Sequence, residues 1–391
     1  MATNNNNKIL NVPNLRFPEF SDEWELHATT DYFEFKNGLN PEAKRFGLGT
    51  KFISVMDILN NRYITYDKVI ASVQPKEDDL NEFGVNYGDI LFQRSSETLE
   101  DVGRANVYLD DRTALFGGFV IRGKKIGNYN PLFFRYLLSS PNARKSIIVK
   151  GAGAQHFNIS QDGLSKVLLN VPSIYEQEKI SQFINYIDER IETQSKIIQQ
   201  LQSLIKGIRH NIYTNLNCEW FQLNNLVAQG FVSLKRGNVI PKYEYSEEYC
   251  YPVYSSSTQK GGLMGYYNAY MFDKPLISWS IDGGGNFFYR NKHKFNVTNV
   301  CGYLEADESK FDYRFISELL IYQHSRMVFD YQTKAHPSVI EAMYNLPILD
   351  LEKQQCYSKL FEHIYDKLDR EISLLKKYEE QKKFLLSNMF I

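Results

Sequence analysis

The side chains of this sequence best placed to act on a partner are donors grouped in polar loops. In the first half, Gln93, Arg94, Ser95 and Ser96 stand together ahead of Gly103 and Arg104, and the stretch Lys150 to Asn158 adds Lys150, Gln155 and His156. In the second half, Lys235 and Arg236 precede Gly237, and Trp279 and Ser280 lead into Asp282 and three glycines. Lys292 and Lys294 flank His293, and Tyr331 to Pro337 carries Gln332, Lys334 and His336. Lysine and arginine in such loops give hydrogen bonds and charge to phosphates, and arginine also pairs with the guanine edge. His156 and His336 hold comparable places in the two halves and have no carboxylate and nucleophile beside them in sequence. Their expected role is donation to a phosphate or a base edge, not proton transfer. Such donors suit a phosphate-bearing partner, although scattered solvated lysines have the same sequence pattern, and no residue of the set is expected to be catalytic.

Other motifs lead away from catalysis. Asn130, Pro131, Leu132 and Phe133 resemble the N-P-P-[YF] loop with which amino-methyltransferases hold an adenine or cytosine, but leucine replaces the second proline. A proline ahead of Leu132 to Leu138 suits the first turn of a helix. Phe46 to Gly49 lacks the strand-turn-helix frame of a cofactor loop, and no G-x-x-x-x-G-K-[ST] phosphate cradle is present. Glu308, Ser309 and Lys310 have nuclease-like spacing without the upstream Pro-Asp, and read as a charged turn. Cys218, Cys250, Cys301 and Cys356 are far apart with no zinc-ligand spacing, so reduced thiols and no metal are expected. The net charge of -1 leaves any nucleic-acid binding to local basic patches. The run Asn4 to Asn7 is unlike a signal peptide, and no stretch approaches the ~20 apolar residues of a membrane span, so a soluble cytoplasmic chain is expected.

The elements that must position these loops announce themselves by an apolar repeat of seven. Steps of four and three residues give Ile180, Ile184, Ile187, Ile191, Gln194, Ile198, Leu201, Ile205, Ile208 and Ile212. A shift of 177 positions gives Tyr357, Phe361, Ile364, Leu368, Glu371, Leu375, Tyr378, Lys382, Leu385 and Met389. Such spacing places one narrow stripe on a helix, the seam of a coiled coil. Each helix is expected to be roughly 50 Å long. A polar residue in a seam weakens it and fixes register, so Gln194 and Glu371 are expected near the midpoint of an antiparallel pair.

The repeat extends beyond the helices. Trp24 and Leu26 lead to Lys36, Asn37 and Gly38, much as Trp220, Phe221 and Leu223 lead to Lys235, Arg236 and Gly237. Strand-like runs follow in each half, Phe52 to Val55 and Asp89 to Phe92, then Tyr251 to Tyr254 and Leu276 to Trp279. Phe134 to Leu137 then matches Tyr313 to Ile316, and Pro172 and Pro347 mark the approach to the two long helices. The expected fold class is α+β, with two similar mixed α/β domains separated by two long antiparallel helices. Its parts are a flexible segment 1–13, a first domain 14–171, a first long helix 172–215, a second domain 216–346 and a second long helix 347–391.

This order, with Val12 to Phe17 at entry and Val171, Pro172, Glu176 and Gln177 before the first helix, resembles the specificity subunit of type I restriction-modification systems. The likeness spans essentially the whole chain. Its most specific part is the helical repeat, carried by Pro172, Gln177 and Asp188 in one copy and Pro347, Gln354 and Asp366 in the other. Lys353 stands where Glu176 would repeat, and Pro347 and Asp366 sit slightly off the 177-residue shift. The resemblance implies that each domain reads one half of a bipartite, asymmetric target in double-stranded DNA. It implies docking of two methyltransferase subunits and of ATP-dependent restriction subunits. S-adenosylmethionine, ATP and magnesium would belong to those partners, and none to this chain. The alternatives are a coiled-coil adaptor without DNA specificity and a self-contained DNA methyltransferase.

Overall fold

Two helices, Ile174–Asn215 and Leu351–Asn388, run for 42 and 38 residues in the computed structural model, which describes residues 11–153, 156–257, 259–282, 284–327 and 334–391. The chain divides inside both helices: one unit holds the residues up to Gln194 together with Leu374–Ile391, the other Ser195–Ser373. Gln194 lies at the centre of its helix and Glu371 close to the centre of the second.

The first unit is built on a four-stranded antiparallel sheet in the order Phe33–Asn37, Val120–Lys125, Ile90–Gln93, Ala105–Val107. A second, smaller sheet contains one parallel pairing, Phe46–Ile53 with Ala114–Phe116. The entry strand Glu25–Ala28 pairs with the exit strand Leu168–Val171, which leads directly to the first long helix. The second unit repeats this plan. Its main sheet has the order Val232–Arg236, Cys301–Ala306, Leu276–Ser280, Phe287–Arg290, its smaller sheet has the parallel pairing Tyr251–Tyr254 with Lys294–Val297, and Trp220–Gln222 pairs with Asn345–Pro347. Pro347 therefore closes a strand, and the second long helix starts at Leu351.

Gly38 and Gly237 show how closely the copies agree. Each ends the first strand of its main sheet, donating its N–H to the neighbouring strand, to Val120 at 3.2 Å and to Cys301 at 3.1 Å. A Cβ on Gly38 would fall on the Gly117 carbonyl, and one on Gly237 on the Val297 carbonyl. Glycine is needed at both because two backbones touch there.

The heptad side chains are shared between helix pairing and domain cores. In the first unit Ile180, Ile184 and Ile187 enter one cluster with Trp24, Phe133 and Phe134, joined by Leu385, Met389 and Phe390 from the end of the second helix. Phe390 packs edge-on against Trp24 at 6.3 Å. Asp188 meets Lys382 at 2.6 Å and Arg190 approaches Tyr378, so the start of one helix lies antiparallel to the end of the other. In the second unit Ile198, Leu201, Ile205 and Ile212 are buried, as are Phe361, Ile364 and Leu368, and Arg209 donates to the Tyr365 hydroxyl at 2.6 Å. Gln194 is also buried, whereas Ile191, Ile208, Tyr357, Glu371, Leu375 and Tyr378 are half-buried.

Residues 11 to 13, expected to be flexible, are held in place. Asn11 accepts from the Trp24 N–H at 2.9 Å and donates to Asn170 Oδ1 at 2.8 Å, and Pro13 is buried. A side-chain amide that bridges the entry and exit strands has reason to be ordered whatever its neighbours' polarity.

Candidate nucleic-acid interface

In the first unit the loop after Ile90–Gln93 and the stretch around Asn158, some sixty residues later, are drawn together by a two-residue ladder. Ser95–Ser96 pairs with Phe157–Asn158, Ile159 donates its N–H to the Arg94 carbonyl at 3.0 Å, and the Ser95 hydroxyl bonds Asn158 Oδ1. Ala152 and Asn158 exchange backbone bonds of 2.9 and 2.8 Å. The result is a depression of about 460 Å³ lined by Arg94 and Lys150 with Asn37, Asn158, Ser160 and Asp162. Arg94 bonds the Gly118 carbonyl at 3.3 Å, which fixes its guanidinium without neutralising it. Exposed His156 borders the same stretch. Gln155 lies outside the described residues.

Two members of the expected set stand elsewhere. Arg104 pairs with Asp101 at 2.6 Å and lines a separate hollow. Gln93 is only 6% exposed and donates to the Ser95 carbonyl at 2.9 Å, so it shapes the loop from beneath and is corrected from contact residue to support.

The second unit repeats the juxtaposition with different side chains. After Leu276–Ser280 the chain turns, and Ala335 donates its N–H to the Ile281 carbonyl at 3.0 Å, as Ile159 does to Arg94. Lys334 lies 3.2 Å from Asp282, and both are exposed. Arg236 opposes Gly302, which also opposes Trp279, so Arg236 sits at the loop end of the sheet; its Nε donates to the Asn299 carbonyl at 3.0 Å. His336 is half-buried and starts the helix Pro337–Met343. Gln332 lies outside the described residues.

Five further expectations change. Trp279 is fully buried, its indole N–H bonded to the Ala335 carbonyl at 2.8 Å and its ring against Gly302, where any Cβ would collide with it. Ser280 is buried too and donates to the Ser256 carbonyl at 2.9 Å, tying two loops together. Both are corrected to structural roles, because the strand that carries them is covered on both faces. Lys235 is held by Glu305 at 2.9 Å, and this carboxylate raises its pKa. Lys292 and Lys294 lie at the start of Lys294–Val297, the far end from the Thr298–Tyr254 bond that leads to the loop cluster; Lys294 covers the Tyr270 ring at 4.6 Å.

Beneath the second cluster lies a residue not foreseen from the sequence. Arg290 is 7% exposed, donates from Nε to the Ser278 hydroxyl at 2.9 Å and stacks 3.7 Å from the Tyr254 ring centre. Burial pulls its pKa down to about 10. Asn37 and Asn158 were likewise outside the expected set, although Asn37 occupies the place of Arg236 in the repeat.

Motifs set aside as non-catalytic have structural duties. The Asn130 side chain caps Pro131–Ser139 by accepting from the Phe133 N–H at 2.9 Å, and Asp307 organises the turn at Ser309. Among the described residues no group of three His, Cys, Asp or Glu side chains could hold a metal ion, and no helix is long and apolar enough to cross a membrane. All four cysteines are free thiols.

Comparison with known proteins agrees with this geometry. The family model described as type I restriction modification DNA specificity domain matches residues 21–203 and 227–380, one segment for each copy of the repeat. A putative type I specificity subunit of Mycoplasma pneumoniae, S.MpnORF285P, is 30% identical over 185 residues, which are 44% of this chain and 58% of that protein. A second from the same organism, S.MpnORF201P, is 26% identical over 226 residues, 55% of this chain and 92% of the relative. The EcoKI specificity subunit of Escherichia coli is 24% identical over 199 residues, 50% of this chain and 42% of its own length. Among solved structures, the S subunit of a type I restriction-modification system from M. genitalium superposes with a TM-score of 0.65 at 17% identity, covering 97% of this chain and 99% of that one. At that identity the match speaks to fold.

Proposed function

The chain belongs to the type I restriction modification DNA specificity domain family, and on that premise we propose that it is the sequence-reading subunit of a type I restriction-modification complex, each of its two units reading one half of a bipartite, asymmetric duplex target. The observation that carries this reading is the repeated loop cluster. In both units a loop from the centre of the main sheet is bonded to a segment just ahead of the exit strand, at Ile159–Arg94 in one and Ala335–Ile281 in the other. The framework is the same, but the side chains at the cluster differ: half-buried Asn37 and Arg94 with exposed Lys150 on one side, exposed Arg236, Asp282 and Lys334 on the other. Two equal frames with unequal donors and acceptors are suited to reading two different half-sites. Phosphate contacts place such a frame on the duplex, and base-edge contacts give it its sequence.

In this reading the chain does no covalent chemistry. Two methyltransferase subunits dock on it and ATP-dependent restriction subunits complete the complex, with S-adenosylmethionine, ATP and magnesium held by those partners. Its own task is to bring each methyltransferase over an adenine, which must leave the base stack before its amine can react. The test is to map methylated adenines in a genome carrying the system and then to exchange residues 14–171 for the first domain of another family member. One half of the methylated sequence should change while the other stays. A change in both halves, or methylation without a bipartite motif, overturns the reading.

A further inference from the structure

The first unit carries a second basic hollow, of about 430 Å³, bordered by Glu100, Arg104, Asn106, Arg135, Ser139 and Arg144. Three guanidinium groups meet there. Arg104 is matched by Asp101 at 2.6 Å, and Arg135 by Asp188 at 3.5 Å and by Asn106 Oδ1 at 3.3 Å. Arg144 differs. One of its terminal nitrogens donates to the carbonyls of Glu100 and Val102 at 2.8 and 2.7 Å, while the other, Nη1, is buried without a hydrogen-bond partner. Burial, with Arg104 nearby, lowers its pKa to about 10, so it stays charged at neutral pH. Among the described residues Arg144 is therefore the one of the three that pairs with no carboxylate.

The hollow borders the loop that frames the first cluster. Gln93 donates its N–H to the Arg104 carbonyl at 2.7 Å, and Gly103 donates to the Gln93 carbonyl at 2.9 Å. Arg94, on the depression described above, is the next residue along this loop. With Arg104 and Arg135 matched by carboxylates, the charge left over on the hollow is that of Arg144, and a tetrahedral oxyanion, with oxygens in several directions, suits it.

We propose that this hollow takes a phosphate group of the DNA backbone, with the guanidinium charge of Arg144 as the feature that makes the site. The proposal rests on the DNA-reading function above. Arg144 is a positioning residue: it sets where the duplex lies, not which bases are read.

The test uses the full chain with its methyltransferase subunits and measures duplex affinity against salt concentration. Two variants are compared with wild type: Arg144→Gln, which removes the charge, and Ser139→Glu, which puts a carboxylate at the rim without touching the bonds of Arg144. Melting temperatures confirm that each variant is folded. Each variant is expected to bind roughly tenfold more weakly at physiological salt, to show a salt slope smaller by about 0.9, and to methylate an unchanged sequence. Wild-type affinity and slope in Ser139→Glu overturn the proposal even if Arg144→Gln perturbs the loop. A further arm follows the melting of wild type with inorganic phosphate. Stabilisation lost in both variants, with DNA slopes unchanged, would assign the hollow to a free phosphate and overturn the DNA assignment. If the wild-type complex binds no duplex at all, it is the function, not the hollow, that is refuted.

Discussion

The Tyr136 hydroxyl donates to the Asp188 carboxylate across 2.8 Å, joining the helix Pro131–Ser139 to the first long helix. The second unit makes the same joint with the roles exchanged. There the phenol, Tyr365, is on the long helix, and it donates at 3.3 Å to Glu318, on Tyr313–His324. Each carboxylate is also met by a cation from the opposite long helix, Lys382 at 2.6 Å from Asp188 and Arg209 at 2.6 Å from Glu318. Burial, with Arg135 and Arg62 adding to it, holds the Lys382 ammonium below the usual lysine range despite Asp188. Each knot therefore ties three elements together: a domain helix and both long helices.

Removing the phenol and removing the acid should differ in cost. Tyr136→Phe takes away one hydrogen bond to a charged group and leaves Asp188 its cations, a loss of about 1.5 kcal/mol. Asp188→Asn leaves Lys382 and Arg135 without their carboxylate, a loss of about 3 to 5 kcal/mol. Denaturant unfolding should give this order, with Tyr365→Phe and Glu318→Gln following it in the second unit. Equal losses for both substitutions would mean that the carboxylates are solvated and the knots do not bear on stability.

Gln177 and Gln354 form a second repeated joint. Each side-chain oxygen accepts, at 3.0 Å, the backbone N–H of the residue capping the adjacent domain helix, Asn130 or Asp312. Each side-chain nitrogen donates to a carbonyl ahead of its own long helix, Pro172 at 2.9 Å or Leu349 at 2.7 Å. Methionine at either position keeps the volume and orphans a backbone N–H and a carbonyl, at about 1 to 3 kcal/mol for each group left buried and unsatisfied. Hydrogen exchange should show the Asn130 amide losing protection in Gln177→Met and the Asp312 amide in Gln354→Met, each without effect on the other.

His324 gives the second unit a pH dependence. Burial holds its imidazole below the ordinary histidine value, against a backbone hydrogen bond at Gly284 that acts the other way, and Nδ1 lies 2.7 Å from the Tyr344 hydroxyl. The unfolded chain takes up the proton more readily than the folded one. The contribution is therefore fully present above the ordinary histidine range and is lost as pH falls through the lower folded-state value. Melting temperatures at pH 7.5 and 5.5 should fall further apart in the wild type than in His324→Gln. An equal drop in both would assign the acid sensitivity to another group.

The repeat could be read in the sequence wherever the same residue serves the same joint. Gly38 and Gly237, and Gln177 and Gln354, are visible for that reason. The knots were not, because donor and acceptor trade places: the counterpart of Asp188 is Tyr365, and a search for an acid found its neighbour Asp366 instead. Trp279 and Ser280 were misread because the last residues of a strand and the first of a loop have similar compositions, whereas cover on both faces depends on segments far away in sequence. Arg144 escaped notice because its place on the hollow is set by the carbonyls of Glu100 and Val102, some forty residues away in sequence. The bond from Asn11 to Asn170 was hidden in the same way, since its two ends lie far apart in sequence.

The loop clusters make the sharpest prediction for DNA binding, since they separate lysines and arginines that the sequence alone treats alike. Arg94 and Lys150 line one depression with a ladder behind it, while Lys292 and Lys294 sit at the far end of their strand from the second cluster, with Lys294 laid over Tyr270. Replacing both Arg94 and Lys150 by alanine should weaken duplex binding by the complex and reduce the salt slope by about 0.9 for each phosphate that is no longer neutralised, or up to about 2 for the pair. Replacing Lys292 and Lys294 removes the same formal charge and should leave the slope unchanged. Parallel titrations from 50 to 200 mM salt distinguish the two outcomes. Equal reductions in both double variants would mean that the duplex responds to total charge, and that the loop clusters do not form the reading surface.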